Sequence, residues 1–208
     1  MRQGGSSAFV AGVVFILVSL LSAPAQAQAV ASAAGHVHPA ALHVEKLGGE
    51  VLSVLSNGSM SRDQRIAHFQ GVLTRDLDIP LIARFVAGRH WRKAGPAERR
   101  AYLDAFGEYV VKTFSARLGG VTVDRFEVVG CSDIGKTDIL VHSRVVYDGA
   151  KPLRADWRVR EKDGAFRILD LSVEGISMAL TLRKEFASVL RREGGVGGLV
   201  PILMAAAT

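Results

Sequence analysis

Between Leu153 and Arg160 apolar and polar residues alternate one for one: Leu153, Ala155, Trp157 and Val159 against Arg154, Asp156, Arg158 and Arg160. A period of two predicts a strand with one buried and one wet face. Asp163-Gly164 supplies the positive-φ pair that a tight hairpin favours, and Phe166 to Val173 returns as a second strand. There Phe166 and Ile168 point one way while Leu169, Leu171 and Val173 point the other, so this strand either bulges or is covered on both faces. After Gly175 the spacing lengthens to threes and fours at Met178, Leu182, Phe186, Val189 and Leu190. That is an amphipathic helix, capped by Ser177 and ended by Gly194-Gly195.

The same test applied upstream predicts four helices. Val44, Leu47, Val51, Val54 and Leu55 mark the first, broken at Asn57-Gly58, and Ser61 caps a second in which Ile66, Phe69, Gln70 and Leu73 share a face. Asp78-Ile79-Pro80 opens a short third, with Leu81, Ile82, Phe85 and Val86 on its apolar side and Gly88 as its stop. Pro96 opens the longest, Ala97 to Leu118, whose stripe of Tyr102, Phe106, Tyr109, Val110, Thr113 and Phe114 is wide enough to be core or to wall a cavity. Val121 to Val129 and Thr137 to Tyr147 read as strands, the segment 148–152 as a turn, and the apolar GGVGGLVPIL near the C-terminus as a short terminal helix. Short connections make the last three strands an antiparallel meander. The expected fold is α+β: N-terminal helices packed on a curved four-stranded antiparallel sheet, an NTF2-like or cystatin-like cup, with a closing C-terminal helix.

The N-terminus changes the picture. Arg2 precedes the apolar run Ala8 to Leu21, and SAPAQAQA follows with small residues at Ala25 and Ala27. This is the pattern of a secretory signal peptide, residues 1–27, cleaved after Ala27 or Ala29; the run is shorter than the ~20 residues of a spanning helix. Residues 28–43 read as a flexible leader, with a weak His36-x-His38 metal pattern, and 44–208 as one domain. Loss of Arg2 takes the net charge from +6 to +5, which suits anionic membrane surfaces or acidic partners, and export makes nucleic acid an unsuitable one. Cys131 is the only cysteine, so no intramolecular disulfide forms.

No Gly-x-Ser-x-Gly elbow, His-Glu-x-x-His helix or dinucleotide fingerprint is present beyond residue 27. A cup of this kind can hold an acid/base pair such as Asp156 with His142, though nothing in the spacing selects it. In Arg89-His90-Trp91-Arg92-Lys93 a large aromatic sits inside a cationic cluster, where Trp91 either plugs the core or belongs to a positive rim.

Several segments together resemble one family. ARFVAGRHWRKAGPAERRAYLDAFGEYVVKTF, ADWRV, DGAFRILDLSVEGISMALTLRKEF and the final GGVGGL are similar to the MlaC family, also called the toluene-tolerance family, over about Val44 to Leu203. The patterns ARF-x-x-GR-x-WR and VEG-[IV]-S-x-x-x-T-x-R-x-EF carry the likeness when found in this order. The resemblance implies a non-enzymatic periplasmic carrier that moves phospholipid between outer and inner membranes, with acyl chains buried between helices and sheet and no cofactor. It also implies two partners, an inner-membrane ABC transporter with an MCE-domain subunit and an outer-membrane lipoprotein complex. A sister branch is associated with hopanoids.

On that reading the lipid wall takes Phe85, Tyr102, Phe106, Tyr109, Val110, Phe114, Val145, Trp157, Val159, Ile168, Val173, Met178 and Leu182. Periodicity gives most of these an inward face, and only the resemblance assigns that face to lipid. Ile168 and Val173 share a face only if the return strand bulges. Arg84, Arg89, Arg92 and Lys93 are the candidate headgroup or partner rim. A small-molecule enzyme or solute receptor on the same cup, or a structural adaptor with a solid core, are the competing readings; the first needs acid/base groups on the inward faces, where they are scarce.

Overall fold

Seven helices and five strands follow one another in the computed structural model, which describes residues 38–118, 123–147 and 151–207. The helices are α1 Pro39–Leu55, α2 Arg62–Asp76, α3 Ile79–Ala87, α4 Arg89–Lys93 and α5 Pro96–Leu118, then α6 Met178–Arg192 and α7 Val196–Ala206. Between the two groups lie β1 Arg125–Ile134, β2 Asp138–Val146, β3 Leu153–Lys162, β4 Ala165–Val173 and β5 Ile176–Ser177. The signal peptide, the leader up to residue 37, residues 119–122 with the expected start of the first strand, residues 148–150 and residue 208 lie outside the described residues.

Local chemistry accounts for most boundaries. Ser61 and Gln64 close a reciprocal capping box at α2, Asp78 accepts from the Leu81 N–H at α3, and Ser177 accepts from the Leu180 N–H at α6. Gly88 ends α3 at φ 55°, a conformation that costs glycine little. α1 begins at Pro39 and not at Val44: the His38 imidazole caps it, and Ala40 and Ala41 are buried beside Val44, so the last residues expected in the leader are helical. Their burial is tertiary and leaves no periodic mark.

The sheet runs β1-β2-β3-β4-β5 with every neighbouring pair antiparallel. It has five strands where four were expected, because Glu174 and Gly175, both at positive φ, turn the chain tightly enough to pair Val173 with Ile176 before α6 starts. β1 runs from Arg125 and continues past the expected Val129 to Ile134, since an irregularity between Val128 and Gly130 lets the polar stretch after Gly130 keep pairing with β2.

β4 does bulge. Arg158 pairs with Asp170 but Val159 pairs with Ile168, so Leu169 is the extra residue. One face therefore carries Ile168, Leu171 and Val173 together with their partners Val159, Trp157 and Ala155, and β2 adds Ile139, Val141, Ser143 and Val145. α1 lies over this face, where Ala40, Ala41, Val44, Val141 and Val159 form a sheet core. A larger helical core gathers α3, α5, α6 and α7 around Tyr102, Phe106, Leu190, Leu199 and Leu203. The C-terminal helices thus join this second core instead of simply closing the cup. The two parts meet at β4, where the Asp78 N–H donates to the Ile168 carbonyl and Leu77 bridges Ile168.

α1 comes close to the sheet only because residue 48 is glycine. A Cβ at Gly48 would stand 2.1 Å from the Phe126 ring, whereas one at Gly49 meets nothing within 4 Å. Gly49→Ala is therefore expected to stabilise the protein by about 0.5–1 kcal/mol through helix propensity. Gly48→Ala, despite the same propensity gain, is expected to lower stability by about 1–2 kcal/mol through overpacking. Urea unfolding of both variants checks the pair; equal effects would show that helix and ring are not in contact.

Candidate functional site

The aromatic wall proposed from sequence is divided between the two cores. On α5, Tyr102 and Phe106 are fully buried, and Tyr109 and Val110 nearly so, in the helical core with Leu182 of α6. Their rings follow one another at short range: Trp91 to Tyr102 at 6.4 Å, Tyr102 to Phe106 at 5.6 Å, and Tyr109 to Phe186 at 5.7 Å. The Tyr102 hydroxyl donates to the Ala83 carbonyl at 3.0 Å, and burial pushes its phenol pKa up. Phe114 packs half-buried at the margin, with the Arg117 guanidinium 5.4 Å above its ring.

On the sheet, Val159 belongs to the core under α1, and Trp157 stands beside it with its indole N–H donating to Ser143 Oγ at 2.9 Å. Val145 and Val173 share that face and are half-buried, as is Met178 at the start of α6. Phe85 does not face inward. It is 40% exposed on the outer side of α3, under the Arg183 guanidinium at 4.9 Å, because the short α3 turns Ile82, Ala83, Val86 and Ala87 to the core.

What joins the two groups is a small apolar cluster of Leu47, Val72 and Ile168, against which Leu77 and Trp157 pack. Leu77 also touches the helical core. Sequence reasoning placed Ile168 and Trp157 at a wall but missed Val72 and Leu77. Val72 lies three residues after Phe69 on α2, so the helical period contained the signal; Leu77 sits in a break between helices and carries none.

The cationic candidates separate as well. The Arg84 and Arg99 guanidinium groups both lie over the Trp91 ring, 5.3 and 5.2 Å from its centre, so the indole is half-buried plug and cation platform at once. Arg92 and Lys93 are exposed on α4. Arg89 lines a cleft of about 300 Å3 with His90, Arg183 and Arg191. A second cleft of about 280 Å3 lies at Leu77, Pro80, Ala165 and Arg167, beside the Lys162–Asp78 ion pair. The first is at the bottom of the 300–1,000 Å3 typical of ligand sites and the second falls just below it.

On the opposite face of the sheet, register brings charges together. Asp138, 2% exposed, accepts from Arg158 and Arg160 at 2.6 and 2.5 Å. Burial alone would raise its pKa, but hydrogen bonds from Arg160, Arg158 and Thr137 outweigh it and hold the carboxyl below its ordinary value. Asp156 does pair with His142, at 2.8 Å to Nδ1, and Ser132 Oγ lies 3.3 Å from His142 Nε2. The order serine, histidine, aspartate is that of a hydrolase relay. Here Arg154 occupies the other Asp156 oxygen at 2.7 Å, and none of the three side chains lines either cleft. The three belong to the charge ladder of that face.

Two comparisons bear on this architecture. The family profile described as MlaC protein matches residues 45–204. A solved structure of the phospholipid-binding protein from Ralstonia solanacearum, in complex with a phospholipid, superposes with a TM-score of 0.69 at 23% sequence identity. The match covers 81% of this chain and 96% of that one. At that identity the likeness concerns the fold.

Asp138→Asn is expected to cost about 1 kcal/mol at neutral pH, since the two arginines lose their carboxylate but stay partly solvated. The native pKa is depressed, so the ion-pair contribution is complete above the unfolded value of 3.8 and disappears as pH falls through the lower native value. Urea unfolding of wild type and variant should therefore draw together as pH falls below the unfolded value and through the lower native one. A difference that persisted in acid would assign the effect to packing.

Proposed function

This chain belongs to the MlaC family, and on that footing we propose that it is a periplasmic phospholipid carrier whose acyl chains run along the junction between its two apolar cores. The supporting observation is the divided interior. Tyr102, Phe106, Tyr109, Val110 and Leu182 stand on one side and Val159, Trp157 and Ile168 on the other, and among the described residues Leu47, Val72 and Leu77 complete the seam between them. Parting such a seam exposes apolar surface to an apolar guest and leaves few polar groups unpaired.

The energetics require a partition of this kind. Two acyl chains hold about 30 methylenes, and exposing them to water would cost on the order of 20 kcal/mol. A carrier must replace the membrane interior almost completely, yet release its cargo. Burying the tails along a seam held by dispersion and apolar contact, with no covalent or metal link, meets both demands. The headgroup then stays at the surface, where basic side chains are plentiful.

Carriage between the outer and inner membranes, by docking to an outer-membrane lipoprotein complex and to an ABC transporter with an MCE-domain subunit, is the route this reading assigns. The N-terminal signal pattern supports a periplasmic location for this carrier, and the reading requires no catalytic step of it. A hopanoid, equally long and apolar, would suit the same seam.

Val72→Phe fills the seam from α2 without adding charge. Native mass spectrometry of the protein purified without detergent, followed by lipid extraction, is expected to find phospholipid on the wild type and about tenfold less on Val72→Phe at a stability cost of about 1–3 kcal/mol. Undiminished lipid on a folded Val72→Phe would place the tails elsewhere. A wild type that stays empty after incubation with liposomes would remove the carrier reading.

A further inference from the structure

Most charge clusters on this protein are neutralised internally: Asp138 takes two arginines, Asp156 an arginine and a histidine, Asp78 a lysine, and Glu193 the guanidinium of Arg192. The cleft where the corner between α3 and α4 meets α6 is different. Its charged lining residues are Arg89, Arg183 and Arg191, with His90 beside them, and no acidic side chain lines it. Among the described residues no carboxylate is within ion-pair distance of these three arginines, although Arg192, next in sequence, has one. We propose that this cleft is a phosphate-binding site, taking a phosphate ester carried by a phospholipid headgroup or a phosphate free in solution.

Its construction fits that chemistry. α6 presents Arg183, Ala187 and Arg191 four residues apart, which puts them on one stripe. Buried Val86 and Leu190 form an apolar floor, so an anion in the cleft is partly shielded from water. Arg183 is already positioned: its Nη1 donates to the Phe85 carbonyl at 3.2 Å, and its guanidinium stacks on the Phe85 ring. Gly88, at φ 55°, keeps the opposite wall low; a Cβ there would come within 3.1 Å of Arg183 Nη2. Guanidinium groups bind phosphate oxygens in pairs, and three arginines lining one cleft with no carboxylate among its lining residues favour an anion there. Burial, then Arg89, Lys93 and Arg191, lower the His90 pKa, which agrees with a positive potential in the cleft. The site shares no lining residue with the acyl seam, so it stands or falls independently of lipid carriage.

The test titrates the purified protein with inorganic phosphate at constant ionic strength, following arginine Nε–H and His90 ring resonances, and separately measures binding to phosphatidylcholine vesicles with and without phosphatidylglycerol. Arg89→Gln/Arg191→Gln alters two exposed side chains, and Arg100→Gln/Arg144→Gln removes the same charge elsewhere. Saturable shifts with phosphate identify a free phosphate ligand, and vesicle binding that strengthens with phosphatidylglycerol, whose phosphate no choline cation offsets, identifies a headgroup. In either case the first variant should weaken binding at least about tenfold while the second leaves it within about twofold. Equal losses in both variants would reduce the effect to net charge and overturn the proposal. So would no response to either probe, including the case in which a polyglutamate peptide binds instead.

Discussion

One inserted residue governs how the sheet meets the helices. Leu169 in β4 has no partner of its own across β3, and the strand must bulge to accommodate it. On its N-terminal side Ile168 stays over Val159 and reaches the Leu47–Val72 cluster; beyond it Leu171 and Val173 return to the same face. The same shift brings Asp170 to the start of α6, where its carboxylate accepts from Ser177 Oγ at 2.5 Å and from the Ala179 N–H at 3.0 Å. Remove the extra residue and either the apolar face or the cap is lost. The bulge thus sets both the seam and the direction in which α6 leaves the sheet, and with α6 the position of Arg183 and Arg191.

Features decided within a few residues were legible in the sequence. The Asp163-Gly164 turn, the Asp78 and Ser177 caps and the stop at Gly88 all follow from side-chain and φ/ψ preferences that neighbours cannot override. The bulge was legible as a conflict of periods in β4. Features decided across the chain were not. Ala40 and Ala41 are helical because they pack on Val141 and Val159, and β1 runs past Gly130 because β2 supplies partners for a polar stretch. Periodicity marked Tyr102 and Val159 as inward, but it could not say that they look into different cores. Phe85 obeys the apolar stripe of α3 and still lies outside, since a helix of nine residues buries only one side. The pairing of His142 with Asp156 depends on strand register, which spacing alone does not give.

Charge and apolar surface divide the work. The ladder of Asp138, Asp156 and their arginines covers the outer face of the sheet, so that this broad face is wet and self-neutralised. The seam is almost wholly apolar, and its one nearby indole N–H is satisfied by Ser143. The arginine-lined cleft is neither. A protein that handles an amphipathic molecule needs these three kinds of surface to be distinct, because a polar group stranded in the seam would cost more than a methylene gains there.

The claim on which the account rests is that acyl chains lie between Val72 and Ile168. The direct measurement is photo-crosslinking with a phospholipid that carries a diazirine midway along one acyl chain, followed by peptide mapping. Adducts in the segments holding Leu47, Val72, Trp157 and Ile168 are the result predicted. Adducts confined to exposed apolar residues such as Phe85, Ile202 and Met204 would contradict it and place the lipid on the outside of the helical core.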